Sequence, residues 1–185
     1  MNNSEFFLVP HALAINIEPV EQSALPLDQS AFESEIPGPF KMASDLSQAD
    51  VGILAPLKLH NDNTQALWAY LQAQNQKINA LLTYVLTQQD DPKFHNTTLQ
   101  FSADSLITEP NSKWSVGDNA RVKIFLPEES SAIYCYAVVS KINNSEHTFK
   151  YTIMRDQDQE LLIRASLHIQ TQQLKDRTKQ RELKN

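Results

Sequence analysis

The chain of 185 residues has little of several things. It has a single cysteine, Cys135, so no internal disulfide is available. That cysteine lies in the apolar run Ala132-Ile-Tyr-Cys-Tyr-Ala-Val-Val139 and reads as a small core residue, with no base at a spacing that would make it a nucleophile. Only three glycines occur, Gly38, Gly52 and Gly117, which excludes the glycine-rich loops that cradle phosphates in P-loop and dinucleotide sites. No apolar run approaches the roughly 20 residues of a membrane span, and Met1-Asn-Asn-Ser-Glu5 lacks the basic start of a signal peptide, so the expected location is the cytoplasm. Arginine is absent until Arg121, and residues 1–62 hold nine acids against two lysines. An acidic front half offers no footprint for nucleic acid, whose binding rests on clustered Lys and Arg.

Catalytic and metal chemistry are equally sparse. The five histidines, His11, His60, His95, His147 and His168, form no helical i, i+4 pair and have no cysteine companion, so no zinc site is expected. The acid pairs Asp90/Asp91 and Glu128/Glu129 fall in predicted loops, where solvated carboxylates are the rule. The expectation is a protein that is not an enzyme and carries no metal or cofactor.

What is present divides the chain into four segments. Residues 1–60 hold six of the nine prolines and read as an irregular acidic arm, with Ile36-Pro-Gly-Pro-Phe40 as an extended hinge. Within it, Leu13, Ile15 and Ile17 alternate with Ala14, Asn16 and Glu18 as one half-buried strand, and Asp28 to Glu35 suits a short helical turn. Such a strand must pair with the rest of the fold or with a neighbouring subunit, because an open edge invites aggregation.

Residues 61–91 form a long helix, opened by a capping box at Asp62-Asn-Thr-Gln65 and stopped at Asp90-Asp-Pro92. Trp68, Leu71, Ile78, Leu82 and Val85 recur at spacings of three and four, with Asn75 at the polar place in the seam. This is a three-heptad coiled coil with a polar register residue, pointing to self-association. Leu67, Leu81 and Leu86 widen the stripe toward an amphipathic helix packed on its own domain. Residues 92–155 contain five short β segments, 97–102, 106–108, 120–126, 132–142 and 148–154, with turn residues between them, as in a small antiparallel barrel. Residues 156–185 make a closing helix with acids in its first turn, bases in its last and Leu162, Ala165 and Ile169 as its buried stripe.

Trp114-Ser-Val-Gly-Asp-Asn-Ala-Arg-Val-Lys-Ile-Phe-Leu-Pro127, the small barrel around it and the tail Leu162-Ile-Arg-Ala-Ser-Leu-His-Ile-Gln170 resemble the PilZ domain over about residues 94–174. The resemblance implies an α+β fold, a PilZ-like β-barrel with a C-terminal helix, here preceded by a coiled-coil helix and an N-terminal arm. It also implies a role in cyclic di-GMP signalling, in the control of motility, pili or polysaccharide. Members that bind the nucleotide carry Arg-x-x-x-Arg before the barrel and Asp/Asn-x-Ser-x-x-Gly on a surface turn. In this chain the turn positions read Gln100, Ser102 and Ser105, and Asp90-Asp-Pro-Lys-Phe-His-Asn96 has no arginine. The turn is a remnant, and its glycine-free run Ser102-Ala-Asp-Ser105 lacks the residue that lets backbone approach a ligand. Cyclic di-GMP is therefore not expected as a cofactor of the usual kind. Arg121 and the Arg177/Arg181 pair, one helical turn apart, are the groups left to hold an anion. The reading is a non-catalytic adaptor that associates with itself and with a protein partner, the alternative being a cyclic di-GMP receptor with an unusual site.

Overall fold

A computed structural model describes residues 6–53, 62–143 and 145–182. Among them are seven strands, β1 (Val9–Pro10), β2 (Ala14–Val20), β3 (His95–Phe101), β4 (Ser105–Thr108), β5 (Asn119–Leu126), β6 (Ser131–Ile142) and β7 (His147–Ile153). Four α-helices accompany them, α1 (Gln29–Glu35), α2 (Gly38–Ile53), α3 (Asp62–Thr87) and α4 (Asp156–Glu182). The strand order β3-β2-β5-β6-β7-β4 closes through a β3–β4 pairing, every contact is antiparallel, and β1 pairs with the C-terminal end of β3, past the residues that pair with β2. Closure removes the open edges that a six-stranded sheet would otherwise present. The fold is α+β and PilZ-like, with α4 as its C-terminal helix.

The interior follows from strand register. Ile15 pairs with Ile124 and Ile124 with Ile133, while Ile17 pairs with Val122 and Val122 with Cys135, so two apolar rows cross β2, β5 and β6. All of these side chains are buried, and Leu161, Leu162, Ala165 and Ile169 of α4 complete the same cluster. Trp114 packs edge-on against Phe149 at 5.2 Å between ring centroids. The strand foreseen at Leu13–Ile17 is thus part of the barrel, paired to β3 and β5.

β6 is buried on both faces, which explains its unbroken apolar run. Ile133, Cys135, Ala137 and Val139 face the barrel interior, whereas Ala132, Tyr134 and Tyr136 belong to a second cluster with Phe32, Ile36, Phe40, Ala43, Leu82 and Leu86. Phe32 lies 6.1 Å from both the Tyr134 and Tyr136 rings, and Tyr136 Oη donates to Glu35 Oε2. Burial, then this hydrogen bond, raises the Tyr136 phenol above its ordinary pKa.

Over its described residues, 6–53, the N-terminal segment is not an irregular arm. The Asp28 carboxylate accepts from Ala31 N–H at 2.8 Å and caps α1. The stretch read as an extended hinge instead joins two helices: Pro37 O accepts from Phe40 N–H, and Gly38 and Pro39 open the 16-residue α2. Proline is tolerated in a first helical turn because its missing N–H would be unpaired there anyway. The capping box at Asp62–Gln65 falls on side chains outside the described set, except Gln65, which is exposed.

Candidate functional site

The β3–β4 turn is closed by its own side chains. Ser102 N–H donates to Ser105 O at 2.8 Å, Ser105 N–H donates to Ser102 Oγ at 3.1 Å, and the Ser102 hydroxyl meets Asp104 Oδ1. Asp104 O accepts from Tyr151 N–H, and Ala103 O accepts from Gln159 Nε2 on α4. None of residues 102–105 has a positive φ, so the turn needs no glycine. Ser102 is 1% exposed, Ser105 and Gln100 are half-buried, and the hydroxyls are committed to internal partners. A bulge between Thr98 and Gln100 leaves Leu99 exposed and turns Thr98 and Phe101 inward, against the simple alternation of Leu99 with Phe101.

The three arginines do not converge on that turn. Arg121 on β5 is held by Glu18 of β2, to which Nε and Nη2 both donate. Burial acts to lower its pKa, but the Glu18 hydrogen bond and other nearby oxygens outweigh it and the guanidinium stays charged. Arg177 and Arg181 lie exposed near the end of α4. Among the described residues no hydrogen bond or ion pair joins any of the three to Ser102 or Ser105.

The long helix shows a divided face. Leu82 is buried with Leu86 against β6 and α2, whereas Trp68, Leu71 and Asn75 are half-buried and Ile78 and Val85 are exposed. Leu67, Tyr70, Leu81 and Tyr84 are exposed as well. The C-terminal end of α3 is therefore fastened to the barrel, and most of its apolar length faces away from it.

Sequence reading missed the groups that fasten it. Asn16, 3% exposed, donates to Asp90 Oδ1 at 2.6 Å and to Asp91 O at 3.2 Å, and accepts from Asp91 N–H at 2.9 Å. His95 Nδ1 lies 2.8 Å from Asp90 Oδ2, and Lys123 Nζ donates to Gln89 O, where a cation favours the helix C-terminus. Asp90 and Asp91 are structural groups at the root of α3. A second buried polar link seats α4: Arg155 Nε and Nη2 each donate to Asp158 at 2.8 Å, and Ser44 of α2 donates to the same carboxylate at 3.4 Å. The polar interruption of the strand at Asn16 was the one available signal for the first link; nothing local marked Asp158 as buried.

No three His, Cys, Asp or Glu side chains converge among the described residues, and no described helix is long and apolar enough to cross a membrane. Burial pushes the Cys135 thiol pKa up, away from nucleophilic use.

The six-stranded antiparallel barrel with α4 packed on its core has a PilZ-like fold. Among solved structures the chain is similar to a tetrameric PilZ domain from Xanthomonas campestris, described as self-assembled through a helical bundle, at 16% identity and a TM-score of 0.55 over 92% of this chain and 91% of that one. It is also similar to the Bacillus subtilis inhibitor of motility MotI/DgrA at 15% identity and a TM-score of 0.47, covering 93% of this chain and 53% of that protein, so it spans about half the length of the Bacillus chain. The PilZ domain of CeSA from a cellulose-synthesizing bacterium aligns at 17% identity and a TM-score of 0.33, over 41% of this chain and 78% of that one. No protein-family model matches the sequence, and no curated protein matches it.

Proposed function

We propose that this chain is a non-catalytic PilZ-like adaptor that associates with itself through α3 and uses its remaining surface to engage a protein partner, without the usual cyclic di-GMP chemistry. The exposed apolar length of α3 carries the reading. Leu67, Tyr70, Ile78, Leu81, Tyr84 and Val85 lie on one rooted helix, more apolar surface than an isolated solvent-facing helix retains. The Xanthomonas protein, similar in fold over nearly its whole length, is described as assembling through a helical bundle. Against nucleotide binding stand the closed Ser102–Ser105 network and the absence of arginine before Arg121.

Light scattering after size exclusion tests the assembly. The wild-type chain should elute as a species heavier than its 21.0 kDa monomer, and Ile78→Asp combined with Leu81→Asp should give the monomer. Burying the exposed half of Ile78 contributes on the order of 1 kcal/mol per copy, and a carboxylate in its place adds a desolvation cost, so the doubly substituted helix should not assemble at micromolar concentration. A wild-type chain that stays at 21.0 kDa at every concentration refutes self-association. Calorimetric titration of cyclic di-GMP in low salt should give no heat. Micromolar binding would favour the receptor reading, with Arg121, Arg177 and Arg181 as the first substitutions.

A further inference from the structure

A cavity of about 310 Å³ lies where the last turns of α3, the start of β2, the end of β5 and the middle of α4 meet. Leu13, Leu86, Phe125, Leu126, Ala165 and Ile169 give it apolar walls. Its volume is that of a small-molecule site. Ser131, at the start of β6, also lines it, 1% exposed and with no hydrogen-bond partner for its Oγ among the described residues. A buried hydroxyl left unpaired is costly, and a polar group of a ligand lodged here would satisfy it.

The charges around the cavity select the ligand. Asp90, Glu128 and Glu129 line it together with His11, and no lysine or arginine does. Asp90 is engaged by Asn16 and His95, and Glu129 by His168 at 3.1 Å and Arg164 at 3.9 Å. Three lining carboxylates, of which only Glu129 meets an arginine and that one outside the lining, disfavour an anion, which separates this site from any nucleotide. We propose that the cavity binds a small uncharged molecule with an apolar body and one hydroxyl or amide group, which pairs with Ser131 Oγ. Thr83, Leu86 and Thr87 form the α3 wall, so the occupant would rest against the root of that helix. The proposal stands independently of self-association.

The test uses the full chain, labelled at Ile and Leu methyl groups, titrated with 2-naphthol and, as a charged control of the same shape, 2-naphthoate. 2-Naphthol should give saturable methyl shifts at Leu13, Leu86, Leu126 and Ile169, and 2-naphthoate should bind at least about tenfold more weakly. Ser131→Ala should weaken 2-naphthol about fivefold through the lost hydrogen bond. Thr83→Phe, and Ala12→Trp at the mouth, should each abolish the shifts, with the remaining methyl spectrum reporting that the variant is folded. If Thr83→Phe fails to fold, Ala12→Trp decides. Absence of saturable shifts with 2-naphthol, equal binding of 2-naphthoate, unchanged affinity in Ser131→Ala, or shifts that persist in the folded cavity-filling variants would each overturn the proposal.

Discussion

Replacing Arg155 by Leu should unfold the protein more readily than any surface change, and the reason lies in the Asp158 carboxylate. Side-chain exposure is 9% for Arg155 and 0% for Asp158, and two hydrogen bonds of 2.8 Å join them. Removing one member of such a pair leaves the other charge buried without compensation, at a cost of about 3–5 kcal/mol. Asp158→Leu should cost a similar amount, because the guanidinium is then stranded. The double variant Arg155→Leu/Asp158→Leu should lie within about 1 kcal/mol of wild type, since the desolvation of both ions disappears together. Urea denaturation of the four proteins at one concentration gives the cycle, and a double variant whose loss equals the sum of the single losses refutes the pairing. The pH dependence supplies a second check. Burial, the largest influence, raises the Asp158 pKa, and Arg155 and Ser44 pull it down without cancelling the rise. A carboxyl group whose folded pKa lies above its unfolded value stabilises the fold at low pH, and that contribution is lost as pH rises through the folded pKa. Arg155→Leu removes the main lowering influence. Its deficit should therefore grow as pH rises from the ordinary carboxylate range toward neutrality, and a deficit that does not change with pH there would contradict the assignment.

Two further substitutions probe the framework. Asn16→Ala removes the bonds to Asp90 and Asp91 and should lower stability by about 2 kcal/mol, read from the urea midpoint; a loss under about 0.5 kcal/mol would mean the clamp is inconsequential. Gly117 has a φ of +94° in the turn before β5, with open space around it, so Gly117→Ala tests backbone strain alone and should cost about 1–2 kcal/mol, visible as a melting temperature several degrees lower.

The β segments of residues 92–155 were legible because their alternation and turn residues are local, and all five agree with the structure to within two residues at each end. Leu99 is the local exception. Its alternation with Phe101 is regular in sequence, but a bulge set by pairing with β4 turns it outward. α2 was hidden by Ile36-Pro-Gly-Pro-Phe40, whose prolines suit an extended chain as readily as the first turn of a helix. The α3 seam was read from spacing, and spacing cannot say which end is covered: Leu82 lies under β6 while Ile78 and Val85 do not. The buried polar groups were illegible for a different reason. Asn16 meets Asp90 across 74 residues, and Asp158 meets Ser44 across 114. Ser131 sits in a polar turn, Glu128-Glu-Ser-Ser131, where exposure is the ordinary expectation.

The position of the helices in the chain has a mechanical consequence. α1, α2 and α3 lie in sequence between β2 and β3, which are neighbours in the barrel. The helical segment therefore leaves and re-enters the barrel at adjacent strands, and its return is pinned where Asn16 of β2 holds Asp90 and Asp91. Leu82 and Leu86 add apolar burial at the same point, and Lys123 of β5 holds the carbonyl of Gln89. Four strands, β2, β3 through His95, β5 and β6, thus meet the last turns of α3 directly or through the residues that follow it, whereas Leu67 and Tyr70, well before them on the helix, remain exposed. A helix rooted at one end, with Leu67, Tyr70, Ile78 and Leu81 exposed along the rest, presents a fixed direction to whatever packs on it. Loosening the root by Asn16→Ala should weaken assembly even though Asn16 lies on the barrel, far along the chain from Ile78.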